Sequence, residues 1–250
     1  MKDDRDETEP SARRAFLTSA GATLGLVGAA AAPLPGLAQA QSAPAATPAS
    51  APAAAGASGY QSLSLEESAA TEALVEHMWP ADQFGASGVE LGIATYIDRQ
   101  LAGAFGQGDR LYSQGPFRVG KPQHGYQLPM TPETWYKAGI AALNAYCSRA
   151  HGKTFDRLVA AERENALLEV SGGKANDPSF DLAAWFNDLY YPLFTQGAFA
   201  DPIYGGNRGK AAWKMIGFPG LPAVYNRDIV TFRGKRNPKS DAPKSIQDLS

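Results

Sequence analysis

The sequence predicts an all-α fold: a single irregular helical domain over residues 64–220, with about five or six helices and long loops between them. Three observations predict it. Apolar residues recur at helical spacing in successive segments, and each segment is opened or closed by a capping residue, a glycine or a proline. No stretch repeats the alternation of a half-buried strand, and no internal repeat occurs. The flanks lack any core-forming pattern: residues 41–63 read as a disordered, flexible Ala/Pro-rich linker and residues 221–250 as an extended polar tail.

Each element has its own signal. Ser64 caps a first helix over residues 65–79, with Glu66 and Glu67 in the first turn, where the helix dipole favours acids. Leu65, Ala69, Ala73 and Leu74 mark its apolar face, and Pro80 ends it. Val89, Ile93, Tyr96, Ile97 and Leu101 place a second helix over residues 87–102, with Asp98 and Arg99 on its polar side. Residues 103–130 have no period. A segment of that length is functional or disordered, and Tyr112, Phe117 and Tyr126 argue against disorder; it drapes over this domain or, as the preferred reading, over a partner.

Thr131-Pro132 opens the next helix, with a capping hydroxyl and proline at the first helical position. Its buried stripe is Trp135, Gly139, Ala142, Leu143, Tyr146 and Cys147, and Gly152 closes it beside Arg149 and His151. Residues 159–170 form a shorter helix broken by Gly172-Gly173. Residues 180–194 carry Phe180, Trp185, Phe186, Leu189, Tyr190, Leu193 and Phe194. A helix apolar on so many sides is a central core helix, the preferred reading, or faces the core on one side and a partner on the other. A turn at Asp201-Pro202 and the flexible pair Gly205-Gly206 then lead to a short helix over residues 210–216, stopped by Gly217-Phe218-Pro219-Gly220.

The N-terminus reads as an address. Ala12-Arg13-Arg14-Ala15-Phe16-Leu17 has the core of a twin-arginine export signal, a weakly apolar run covers residues 17–32, and Ala38-Gln39-Ala40 is an Ala-x-Ala cleavage site. Ala12 and Thr18 depart from the usual Ser/Thr and Lys, but Arg13, Arg14, Phe16 and Leu17 remain. Residues 1–40 are thus expected to direct export of a folded protein to the periplasm. The net charge of −2 offers no basic footprint for nucleic acid. Arg233 to Arg236 reads as a solvated basic run, with a contact to an acidic partner or membrane as the alternative. Cys147 is the sole cysteine, which excludes an intramolecular disulfide, covalent haem attachment and a cysteine-held iron–sulfur cluster.

Few residues point to chemistry. His77, His124 and His151 are far apart in sequence and fit no ligand pattern. There is no nucleophile elbow and no dinucleotide loop. Asp82 and Asp201 lie beside turns, where an aspartate ordinarily bonds nearby backbone N–H groups. No catalytic, cofactor-binding or metal residue is therefore expected.

Asp201-Pro202-Ile203-Tyr204-Gly205-Gly206-Asn207 followed by Trp213-Lys214-Met215-Ile216-Gly217-Phe218-Pro219-Gly220 resembles the signature of the gluconate 2-dehydrogenase subunit 3 family. Trp79-Pro80-Ala81-Asp82, residues 96–103 and residues 125–132 fit the same family in order, so the resemblance spans about residues 65–220. It implies a non-catalytic small subunit of a periplasmic sugar or sugar-acid dehydrogenase complex. It also implies a large flavoprotein partner of the glucose-methanol-choline oxidoreductase type carrying FAD, and a c-type multihaem cytochrome that passes electrons to membrane quinone. The twin-arginine translocase would export small and large subunits together. The contact residues expected are Tyr126, Gln127, Pro129, Asp201, Pro202, Tyr204, Gly205, Gly206, Asn207, Arg208 and Trp213. The alternatives are an independent periplasmic enzyme using Asp82, Asp201 and Arg208 in one cleft, or a small-molecule binding module.

Overall fold

Ser64 caps the first helix, α1 (Leu65–Met78), through a reciprocal box: its hydroxyl accepts from the Glu67 N–H, and the Glu67 carboxylate accepts from the Ser64 N–H. The computed structural model describes residues 59–83, 85–112, 114–118, 120–121, 124, 127–175, 179–222 and 224–249. Among these residues the fold is all-α, with isolated bridges and no strand. The linker up to residue 58, the export signal and Tyr126 lie outside them.

The buried face of α1 is Ser68, Ala70, Thr71, Ala73, Leu74 and Val75, and Leu65 is exposed. The expected face is thus displaced. Alanine, serine and threonine bury as readily as they expose, so the pattern fixed the face poorly. Thr71 is drawn inward by the Tyr136 hydroxyl at 2.9 Å.

The second helix, α2 (Ile93–Ala102), begins later than expected because Gly92 takes φ +79°. The residues before it form a turn in which Ser87 and Glu90 bond each other's backbone N–H. Asp98 is not on a polar face. It is buried and accepts from the N–H groups of Gln61 (2.7 Å), Ser62 (2.8 Å) and Leu63 (3.0 Å), which pins the lead into α1 onto α2. A one-turn helix, α3 (Ala104–Gln107), follows. Glu133 ties three segments together by accepting from Ser62 (2.6 Å), Gln107 (2.8 Å) and Lys137 (2.8 Å). Lys137 holds the Glu133 carboxyl below its usual range, aided by Ser62.

Helix α4 (Pro132–His151) starts at Thr131 and stops at Gly152, as the capping residues predict. Gly139 leaves room for Trp185: a Cβ there would stand 2.1 Å from the indole Nε1. A 3-10 turn (Phe155–Arg157) and α5 (Ala160–Ser171) follow.

The aromatic core helix is not uniform. It runs as α6 (Leu182–Ala184), a π-helical stretch (Trp185–Tyr190) and α7 (Tyr191–Phe199). The Tyr191 N–H reaches back to the Phe186 carbonyl. Pro192 supplies no N–H to the turn before it and its ring crowds the carbonyl four residues back, so a widened turn there relieves the clash. Trp185, Leu189, Tyr190 and Leu193 are buried, and Trp185 and Tyr190 stack at 5.7 Å between centroids. Trp185 Nε1 and Tyr190 Oη find no hydrogen-bond partner among the described residues. Each such group costs about 1–3 kcal/mol, offset here by large apolar side chains that each contribute about 1.5–3 kcal/mol on full burial.

The C-terminal residues do not run out as an extended tail. They form a short helix, α9 (Asn226–Thr231), and 3-10 turns at Pro238–Asp241 and Ile246–Leu249, then return to the domain. Lys244 pairs with Gly220 in a parallel bridge, and the Leu221 N–H bonds the Lys244 carbonyl at 2.8 Å. Sequence periodicity missed these elements because each is only one or two turns long.

Candidate functional site

The signature loop begins where α7 ends. Asp201 caps the 3-10 turn Pro202–Tyr204 by accepting from the Ile203 N–H (3.0 Å), and its second oxygen accepts from the Ile246 N–H of the returning tail (2.8 Å). Gly205 follows with φ +102°, a backbone that side-chain-bearing residues rarely adopt.

Three backbone segments meet at this loop. A Cβ on Gly92 would lie 2.4 Å from the Gly205 carbonyl oxygen, and one on Gly206 would lie 2.1 Å from the Gly197 carbonyl oxygen. Glycine at these positions lets the start of α2, the body of α7 and the loop touch directly.

Asn207 locks the loop. It is fully buried and left-handed at φ 46°, a region asparagine tolerates better than most residues. Its amide donates to the Ala200 carbonyl and its oxygen accepts from the Ala212 N–H, both at 3.0 Å. The second bond satisfies an orphan donor at the start of α8 (Ala211–Ile216). Trp213, on α8, is buried and donates to the Phe199 carbonyl at 2.7 Å. Arg208 is exposed but tethered: its N–H bonds the Leu91 carbonyl (3.0 Å) and its guanidinium donates to Thr95 (3.1 Å). Lys210 meets Asp248 of the tail at 2.5 Å, and that contact holds the Asp248 carboxyl below its usual range.

The expected contact residues therefore divide. Pro202, Gly205, Gly206, Asn207 and Trp213 are buried inside the chain and shape the loop. Tyr204 and Arg208 face outward, as do Gln127 and Pro129 on a separate segment, and Asp201 is half-buried. Tyr126, Arg13, Arg14, Phe16, Leu17, Ala38 and Ala40 lie outside the described residues. Sequence reasoning missed Gly92 and Thr95 as partners of this region, and missed that Asp98 is buried against residues 61–63. For Asp98 a signal existed: Ala94, Asp98 and Leu101 share one helical stripe, which places the carboxylate on the buried side.

Beside the loop is an apolar cavity of about 210 Å³, lined by Met78, Trp79, Pro80 and Asp82 on one side and Ala211, Ala212 and Met215 on the other. Two stretches that carry the family resemblance thus share one cavity. It is smaller than ordinary small-molecule sites, which begin at about 300 Å³. Asp201 and Arg208 do not line it. Asp82 is held in its own turn with Gly85, whose N–H it accepts at 3.2 Å. His77 pairs with Glu164 at 2.9 Å. Burial pushes the Cys147 thiol up to about 11, which keeps it protonated and unreactive at neutral pH.

The family model described as gluconate 2-dehydrogenase subunit 3 matches residues 65–220. No curated protein and no solved structure matches the chain. The family match runs from the first residue of α1 to the glycine that ends the signature loop, so it covers the packed helices and the loop they position. The chain belongs to the gluconate 2-dehydrogenase subunit 3 family.

Proposed function

We propose that this chain is the non-catalytic small subunit of a membrane-associated, FAD-dependent dehydrogenase of the gluconate 2-dehydrogenase kind. It stabilises a flavoprotein large subunit of the glucose-methanol-choline oxidoreductase type and carries the twin-arginine signal for the export of both to the periplasm. FAD belongs to the large subunit and haem c to a cytochrome subunit. The observation that carries this reading is the family match over residues 65–220. The loop geometry supports it. The functional groups of Asp201, Asn207 and Trp213 are committed to backbone partners within the chain. Tyr204 and Arg208 remain outward, and both are residue types that often anchor protein interfaces. A loop already rigid loses little conformational entropy on binding. The independent-enzyme alternative draws no support from this arrangement, since the cavity beside the loop gathers Asp82 alone of its three residues.

The test is capture of the tagged chain from periplasm, followed by absorption spectroscopy. Flavin bands with a large co-purifying polypeptide are expected, and both should be lost from the periplasm when Arg13 and Arg14 are changed to lysine. Tyr204→Ala with Arg208→Ala should weaken capture of the flavoprotein at least tenfold. A colourless lone chain, or a double variant that assembles normally, would sink the reading.

A further inference from the structure

The tail beyond the family match carries a second surface. Helix α9 leaves Val230 71% and Ile229 63% exposed, and Val224 just before it is 71% exposed. These aliphatic side chains are largely open to solvent, Ile229 also lining a cavity with Phe218, Tyr225 and Phe232, and cations flank them in sequence. Residues 221–250 hold six basic side chains, Arg227, Arg233, Lys235, Arg236, Lys239 and Lys244, against three acidic ones. Each acid is already neutralised: Asp228 by Lys239, Asp241 by Arg236, and Asp248 by Lys210. Arg227, Arg233, Lys235 and Lys244 have no ion pair among the described residues. The chain as a whole is acidic, with net charge −2, so this excess of positive charge is local.

We propose that residues 224–235 form a membrane-contacting element that seats on an anionic bilayer surface. The apolar tips enter the headgroup boundary while Arg227, Arg233 and Lys235 meet lipid phosphates. An amphipathic segment of this kind needs both signals, because neither a few apolar tips nor a few charges hold a surface alone. An acidic protein face is the less favoured occupant. Valine is under-represented among interface hot spots, and the segment's aromatics, Tyr225 and Phe232, are half-buried beside Phe218 in a cavity that Ile229 also lines. The inference does not rest on the subunit reading, since it concerns residues outside the matched region and a ligand that the lone chain can meet.

The experiment is sedimentation of the purified full-length chain with vesicles of phosphatidylcholine containing about one third phosphatidylglycerol, beside vesicles of phosphatidylcholine alone. Binding is expected to the anionic vesicles only, and to weaken as salt screens the cations. Arg233→Ser with Lys235→Ser should lower partitioning about thirtyfold, at about fivefold for each removed charge. Val224→Ser with Val230→Ser should lower it separately. All four side chains are exposed, and matching melting curves would show that the variants keep the fold. The N-terminal apolar run is common to every sample, so differences between them report on the tail. Absence of wild-type binding to anionic vesicles would overturn the proposal, as would equal binding by wild type and both double variants.

Discussion

Asn207 shows how one residue holds the loop in shape. Its side chain satisfies a carbonyl at the end of α7 and an N–H at the start of α8, and its backbone sits where few residues rest comfortably. Asn207→Ala would leave two buried backbone groups unpaired and place a Cβ-bearing residue without local hydrogen bonding in the left-handed region. The expected cost is about 3 kcal/mol, read as a lower denaturation midpoint in urea with an unchanged slope. A loss below about 0.5 kcal/mol, within ordinary surface variation, would show that the loop does not depend on it. Gly206 and Gly92 act differently: they contribute by having no side chain, because carbonyl oxygens occupy the space where a Cβ would stand.

Among the elements, the returning tail depends most on charge. It is fastened to the signature loop by the Ile246 N–H on Asp201, by the bridge at Lys244, and by Lys210 with Asp248. The Asp248 carboxyl is held low, chiefly by Lys210 and then by the Ser245 N–H. Its folded value lies below the unfolded one. Its contribution is therefore fully present above the ordinary aspartate pKa of about 4 and is lost as pH falls through the depressed folded value. Acidification from neutral pH should lower the hydrogen-exchange protection factors of residues 244–249, after allowance for the slower intrinsic exchange in acid, before those of the core helices fall. Asp248→Asn should show the lowered protection already at neutral pH. Equal exchange of tail and core across the range would count against the latch. The π-helical stretch is the opposite case, an element held by apolar packing. Tyr190 is buried there and its phenol is pushed well above its usual value by desolvation, so it stays neutral.

At the scale of the whole molecule, the domain is closed by its two ends. At one end the tail returns to the signature loop. At the other, residues 61–63 donate three N–H groups to buried Asp98, and Ser62 also reaches Glu133. A chain starting at Gly59 keeps these bonds, whereas one starting at Ser64 leaves the Asp98 carboxylate buried without its amide donors. The shorter chain should be less stable by about 3 kcal/mol or more, and thermal melts of the two would show it. Matching melts would mean that Asp98 finds other partners. The sequence by itself determined the all-α class, the extents of α4 and α5, the central aromatic segment and the family. These rest on cap residues, glycine stops and long apolar periods, which are local in the chain. Tertiary structure alone decided that Asp98 is buried, that α2 starts late at Gly92, that the aromatic helix widens before Pro192, and that the tail folds back. It also decided which signature residues face outward. Those outcomes depend on contacts between residues far apart in sequence, such as Gly92 with Gly205 and Asp201 with Ile246, which no local pattern encodes.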